Sequence, residues 1–381
     1  MIQGKDLRWK TKKTGYENAL NNLQARLKGE IISIKTSSPK INDATCDGFE
    51  WHTAVCIAAR PGAGKSVLKE QIINESFELN PLSSHRCLDF DLEMPLVFNA
   101  IREFSAHLGK SYKYMCSAEM DADMKKFTKE ELQQCYLYSK QRLELKADGV
   151  SKYPIDVVED APTVNEFEEI VTQYMEYYST TDDKGNKVYT NTIVSMDHAR
   201  LFIKAPFENG EQEMLHNLGK AIIRLKKKFP ILFIILNHLN RNIDKPERVE
   251  EGRYGNYVLE SDILGSDSFS QCCDIIIGIN RPAKLQIRQY GPQRYIIEND
   301  MVLVFHFLKV RNGTPRMSFF KGEFHRMKIV EMDTPAKAQK AVSTGKTVKF
   351  VEPNQGEQVS NTLESNNLFT LDNNDNGDNP F

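Results

Sequence analysis

Lys65 and Ser66 follow a short glycine-rich turn in the stretch IAARPGAGKSVLKEQI, residues 57–72. This combination can grip a triphosphate. Backbone N–H groups converge on the phosphates, the ammonium reaches the outer ones, and the hydroxyl sits on magnesium. The full pattern, G-x-x-x-x-G-K-[ST], starts on a glycine, and Ala59 stands there instead. Arg60, Pro61 and Gly62 can make the turn without it, so Arg60, Pro61, Gly62, Ala63, Gly64, Lys65, Ser66 and Val67 are expected to cradle ATP or another NTP with Mg2+. The competing reading is a Gly-Pro turn with a solvated lysine. Flanking sequence favours the phosphate site: the apolar run Ala54 to Ala58 reads as a buried strand and Val67 to Phe77 as a helix, so the phosphates meet a helix N-terminus.

Hydrolysis needs further groups: a carboxylate to hold magnesium and a residue to orient water. TIVSMDHARL ends an apolar run on Asp197, the place of a Walker B carboxylate, unless this aspartate only caps a helix. CLDFDLEMPL puts Glu93 just past a strand and before Pro95, where it could polarise water or serve as an ordinary first-turn acid. ILFIILNHLNR puts His238 past another strand, in reach of a terminal phosphate, although a lone histidine is commonly structural. In FLKVRNGTP, Lys309 and Arg311 are two apart at a strand end and point the same way. Such a pair is either a solvated edge or, in a ring, an arginine finger offered to the neighbour's phosphates.

These residues need a scaffold to bring them together. From residue 54 onward, apolar strands near 54–59, 87–91, 192–197, 231–236, 274–279 and 301–308 alternate with amphipathic helices. Alternation of this kind predicts an α/β fold, a mostly parallel central sheet with helices on both faces. Thr163 and Glu166 form a capping box ahead of Phe167, Ile170, Val171, Tyr174 and Tyr178, and a second helix runs from about Glu211 to Phe229 before Pro230. The charged segment 110–150 reads as a helical insertion at the periphery. Ahead of the core, residues 14–28 read as an amphipathic helix. Thr14 and Glu17 would be its capping box, Tyr16, Leu20, Leu23 and Leu27 its apolar face, and Gly29 its exit. That face packs either on its own domain or on a neighbouring subunit.

The organisation expected is therefore an N-terminal segment 1–30 with a linker helix, a nucleotide-binding domain 31–333, and a flexible tail 334–381. Residues 361–381 hold four acidic residues and no lysine or arginine, and read as disordered. The closing FTLDNNDNGDNPF is similar to the acidic Pro-Phe tips by which bacterial single-strand-binding proteins dock replication partners, though a purely solubilising tail is the simpler reading.

The 381 residues include 40% hydrophobic types, enough for a sizeable core. Fifty basic and 52 acidic residues give a formal charge of −2, so contact with nucleic acid must come from local basic loops. Seven cysteines without a C-x-x-C pair point to a reducing compartment and no zinc. The longest strongly apolar run, Ile231 to Leu236, is too short to span a bilayer, so no membrane partner is expected and the location is cytoplasmic.

Taken in order, ARPGAGKS, DLEMP, IVSMDHARL, LNHLNR, ESDILGSDSFSQCCDIIIGINR and LKVRNG followed by FKGEFHRM resemble the DnaB-type replicative helicases over about residues 30–330. The resemblance implies a RecA-like P-loop NTPase. Lys65 and Ser66 would bind phosphates and magnesium, Glu93 would be the catalytic base, and Asp197 the Walker B acid. His238 would sense the γ-phosphate, and Lys309 with Arg311 would act in trans. It also implies a homo-oligomer, a hexameric ring around single-stranded DNA, gripped by two loops. One loop carries Lys204; the other runs from about Arg241 to Ser261 and carries Arg241, Lys245, Arg248 and Arg253. Glu247, Glu250 and Glu251 offset that second loop's charge, which leaves a solvated surface loop as its alternative. Two departures stand out: Leu264 occupies a place where the family often has arginine, and the short stretch ahead of the core leads to the expectation that the family's large N-terminal domain is absent. The expected activity is an ssDNA-stimulated ATP hydrolase acting as a DNA helicase. Its alternatives are a RecA-like recombination or repair ATPase and a nucleotide-switched loading factor.

Overall fold

Strand-forming runs with both faces apolar set the architecture. The computed structural model describes residues 11–31, 33–116, 127–145, 151–249 and 256–337. Its main helices are α1 (Lys12–Leu27), α2 (Pro39–Ala44), α3 (Lys65–Leu79), α4 (Leu96–Leu108), α5 (Lys129–Arg142), α6 (Val164–Tyr177), α7 (Glu211–Lys228) and α8 (Ser266–Cys272). The main strands are β1 (Thr53–Ala59), β2 (His85–Asp91), β3 (Ile155–Val158), β4 (Asn191–Asp197), β5 (Ile231–His238), β6 (Ile275–Asn280), β7 (Val302–Val310), β8 (Arg316–Glu323) and β9 (Lys328–Glu331). They form one nine-stranded sheet in the order β9-β8-β7-β6-β1-β5-β4-β2-β3.

From β6 to β3 the strands are parallel, so their C-terminal ends share one edge. The other three strands, β7 to β9, pair antiparallel and extend the sheet beyond β6. β1, β5 and β6 read TAVCIAA, ILFIILNH and IIIGIN, near-continuous apolar runs of the kind that strands covered on both faces require. Alternation along β1 divides the interior in two. Ala54, Cys56 and Ala58 face Phe167 and Val171 of α6 and Leu218 and Ile222 of α7. Val55, Ile57 and Ala59 face Leu68 and Ile72 of α3 with Ile41 of α2. The result is three layers, with helices on both sides of the sheet.

The Thr163–Glu166 capping box forms as expected, and α7 stops ahead of Pro230. α1 begins earlier than expected. Its N-cap is Thr11, whose side chain accepts from the Thr14 N–H, so the expected Thr14–Glu17 box does not cap it. Tyr16, Leu20, Leu23 and Leu27 stay exposed on α1, which buries no residue against the rest of the described chain. Segment 110–150 holds a short helix at Tyr112–Cys116 and α5; residues 117–126 and 146–150 lie outside the described residues. So do residues 338–381 of the tail expected over 334–381. Among the described residues no helix is long and apolar enough to cross a membrane.

One buried ion pair ties the layers together at the start of the sheet. Asp274, just before β6, accepts from Lys226 Nζ of α7 at 2.5 Å and from the Ala54 N–H of β1 at 2.9 Å. Both partners' side chains are about nine-tenths buried. Asp274→Ala should leave the Lys226 ammonium buried without its counter-charge and cost roughly 3–5 kcal/mol. Urea unfolding of the nucleotide-free protein checks this; a midpoint equal to wild type would show the pair to be dispensable.

Candidate functional site

The shared C-terminal edge of β1, β2, β4 and β5 delivers four of the expected chemical groups to one place. α/β sheets bind ligands at this edge because successive loops open there. Between β1 and α3 the chain turns through Gly62 (φ 71°) and Gly64 (φ 91°), conformations that side chains with a Cβ rarely adopt. Gly64 is doubly required: a Cβ there would lie 2.8 Å from Cε1 of Phe324. α3 then starts at Lys65, so its free N–H groups face the turn.

Lys65 is almost fully buried and its ammonium sits between two carboxylates, 3.6 Å from Asp197 Oδ1 at the end of β4 and 3.7 Å from Glu93 Oε2 past β2. The Ser66 hydroxyl donates to Asp197 Oδ2 at 2.7 Å. Asp197 Oδ1 is buried and accepts no hydrogen bond. A hydroxyl and a carboxylate with an unfilled oxygen are hard ligands suited to Mg2+, so Ser66 and Asp197 fit that ion. Glu93, by contrast, is half exposed at the mouth of the cleft, where water can reach it.

His238 ends β5 beside these groups, and its ring meets that of His198 edge-on, centroids 4.5 Å apart. Burial first, then the nearby Lys65 charge and His198, push the His238 pKa down to about 4. His198 is lowered as well, by burial and by Lys65. Both imidazoles are therefore neutral at neutral pH, and His238 can offer an anion one N–H without adding charge.

A cleft of about 670 Å³ joins Pro61, Gly62, Gly64, Lys65, Ser66 and Val67 to Glu93, Asp197 and His238. Two expected cradle residues stand apart from it. Ala63 is buried in the core under the turn. Arg60 turns away: its Nε donates to Asp244 Oδ2 at 2.6 Å and its Nη1 to the Leu239 carbonyl at 3.3 Å, fastening the turn to the segment after β5. Because Ala59 pairs with His238 in the sheet, Arg60 emerges next to Leu239 and finds its partners there.

Sequence reasoning missed several lining groups. Arg281 donates to the Gly62 carbonyl at 3.3 Å and Lys284 to the Pro61 carbonyl at 2.6 Å, so two cations from the loop after β6 clamp the turn. Phe324, His325 and Met327, between β8 and β9, wall the far side. Below the cleft, Lys69 is fully buried and its ammonium donates to both oxygens of Asp89, at 3.1 and 2.8 Å. Burial alone would lower its pKa, but Asp89, Glu70, Asp197 and Asp91 outweigh that and hold it well above the ordinary lysine range. Asp91, raised by burial to about 6, accepts from Asn99. A signal was present: two aspartates inside the apolar run CLDFDLE require a buried partner, and Lys69 lies one helical turn from Lys65.

Lys309 and Arg311 lie at the opposite edge. β7 runs antiparallel to β6, pairing Val304 with Asn280 and Val310 with Ile275, so it ends where β6 begins. The register shifts between Phe307 and Lys309. Lys309 donates to the Ser270 carbonyl, and half-exposed Arg311 pairs with Asp274 at 3.1 Å. Roughly five rungs of sheet, about 17 Å at the rise per strand residue, separate this end from the glycine turn before α3. Within one chain the pair cannot touch a nucleotide held at Lys65.

Of the expected DNA-facing cations, Lys204, Arg241 and Lys245 are exposed, whereas Arg253 lies outside the described residues. Arg248 differs from expectation. Its guanidinium forks onto Asp262, 2.9 Å to each oxygen, and donates to the Tyr257 carbonyl at 2.6 Å. A bidentate pair with a nearly buried aspartate braces the loop instead of leaving a cation free.

Comparison with known proteins identifies the family and the fold. The family DnaB-like helicase C terminal domain matches residues 33–327. A DnaB-like replicative helicase, described together with its interactions with primase, superposes with a TM-score of 0.62 at 16% identity, over 83% of this chain and 68% of its own. A solved ATPase domain gives the same TM-score and identity over 83% of this chain and 98% of its own. At such identities the likeness concerns the fold, which is RecA-like.

In the nucleotide-free protein, NMR of histidine-labelled material should show His238 titrating near pH 4. A midpoint at the ordinary 6.5 would contradict the buried, lysine-flanked setting described here.

Proposed function

The chain belongs to the DnaB-like helicase family, and from that premise we propose that it is an ATP-driven, ring-forming helicase that translocates on single-stranded DNA during replication. Membership implies an NTP hydrolase that binds nucleotide, usually with Mg2+. The observation that carries the finer reading is the convergence of Lys65, Ser66, Asp197, Glu93 and His238 on one cleft, with Lys309 and Arg311 out of reach on the opposite edge.

Each residue has a role that its surroundings support. The turn Pro61 to Gly64 and the first N–H groups of α3 bind phosphate oxygens. Lys65, shared between Glu93 and Asp197 when no anion is present, moves its charge to the outer phosphates and so frees Glu93. Glu93, open to solvent, orients a water molecule and takes its proton. Ser66 and Asp197 hold Mg2+, which when bound neutralises charge on the phosphates. His238, neutral, donates one N–H to the terminal phosphate and reports its loss to the segment that follows, Asn240 to Lys245. Arg60 ties that same segment to the phosphate turn through Asp244.

Lys309 and Arg311 complete the site of the next subunit. Ring assembly, with six copies as the family implies, sets the start of β6 on one copy against the cleft of another. α1, apolar along Tyr16, Leu20, Leu23 and Leu27 and unburied in its own chain, docks on the adjacent copy. Lys204, Arg241 and Lys245 then face the strand in the central channel.

Mixing subunits tests the arrangement. Lys65→Ala and Arg311→Ala should each lower ssDNA-stimulated ATP turnover by about 10³-fold or more. An equimolar mixture should regain turnover, because some interfaces then pair an intact Lys65 with an intact Arg311. Failure to complement, or an Arg311→Ala protein with wild-type turnover, would rule out action in trans.

A further inference from the structure

Two phenylalanines in the segment after Asp197 have opposite settings. Phe202 is buried, with its ring edge-on to Phe167 at 5.3 Å. Phe207 keeps 63% of its surface in water, and Ile203, four residues earlier, keeps 53%. Exposure here is not slackness. The carboxylate of Glu208, itself buried, accepts from the Ala205 N–H and from Asn217 Nδ2, each at 2.8 Å. The Glu208 N–H donates to the Ala205 carbonyl at 3.0 Å, and the Ile203 N–H to the Pro162 carbonyl at 2.9 Å. Pro206 fixes the backbone just before the exposed ring. The turn is built to hold Phe207 outward.

Charge around the ring is arranged to the same end. Glu208 is turned inward, Glu211 is paired with Arg200, and Glu213 accepts from the Asn209 N–H at 2.7 Å. Each carboxylate of the segment is thus engaged. Lys204 remains exposed, with one donor on the Glu208 carbonyl at 2.8 Å and two donors over. An outward aromatic face beside a cation is how proteins hold single strands without reading sequence, since every base has a π-face and every linkage a phosphate.

We propose that Phe207 stacks on a base of single-stranded DNA while Lys204 meets a neighbouring phosphate. This rests on the helicase reading above and adds to it a base contact on the first loop. The segment starts from the Walker B strand end, so a ring that leaves its base on hydrolysis is joined to Asp197 by ten residues of hydrogen-bonded turn.

The test compares oligo-dT with an abasic oligonucleotide of equal length, using the full chain. Phe207→Ala should weaken binding of oligo-dT about tenfold in fluorescence anisotropy and leave abasic binding unchanged. Phe207→Trp should show emission quenched by oligo-dT and not by the abasic strand, after subtraction of the wild-type signal. Equal affinities of wild type and Phe207→Ala for oligo-dT would overturn the proposal while leaving the helicase reading intact. A Trp emission change on self-assembly without DNA, with no further change on adding oligo-dT, would assign the ring to a subunit contact instead. Wild type that binds neither oligonucleotide would remove the helicase reading and this inference with it.

Discussion

Two lysines one turn apart on α3 meet carboxylates from two neighbouring strands, β2 and β4, and the rest of the site depends on that match. Lys65 lies between Asp197 and Glu93, while Lys69 lies on Asp89 beneath them. Charges this deep are costly unless paired, so the helix can seat on the sheet only where each ammonium finds its partner. That requirement fixes where α3 begins, and its beginning fixes the phosphate turn. Ser195 adds a hydrogen bond to Asp89 at 2.6 Å, bringing β4 into the same network as β2. The cleft is therefore the upper surface of a charged layer that also holds the middle of the fold together.

Sheet direction accounts for the remainder. Parallel strands place Lys65, Glu93, Asp197 and His238 on one edge, and the antiparallel return of β7 carries Lys309 and Arg311 to the other. There Lys309 donates to the Ser270 carbonyl, away from the groups gathered on the first edge. Arg311 is paired with Asp274, the carboxylate that also anchors Lys226, so its resting position is held by the same ion-pair network that joins α7 to β1 and β6.

Much of this was legible in the sequence. Apolar runs located the six principal strands to within about two residues, because strands buried on both faces leave little else to read. The glycine turn before α3, Glu93 after β2 and Asp197 at the end of β4 stood out through their positions at strand ends. What escaped depends on tertiary geometry. Arg60 belongs to the motif by position yet serves the neighbouring segment, since β1 and β5 are paired side by side. Arg248 looked like a free cation until Asp262, fourteen residues on, came within reach. β8 and β9 escaped as strands because the short motif FKGEFHRM covers only the end of β8 and the turn after it; together they place Phe324 over Gly64. α1 showed its apolar face, but the N-cap proved to be Thr11 because that residue, not Thr14, lies one step before the first helical N–H.

The central claim is that a triphosphate binds where Lys65 meets Asp197. Isothermal titration of a non-hydrolysable ATP analogue tests it most directly. The account predicts one site per chain, weakened severely by Lys65→Ala and dependent on Mg2+ in wild type but far less so in Asp197→Asn. Binding that is indifferent to both substitutions would place the nucleotide elsewhere and contradict the account.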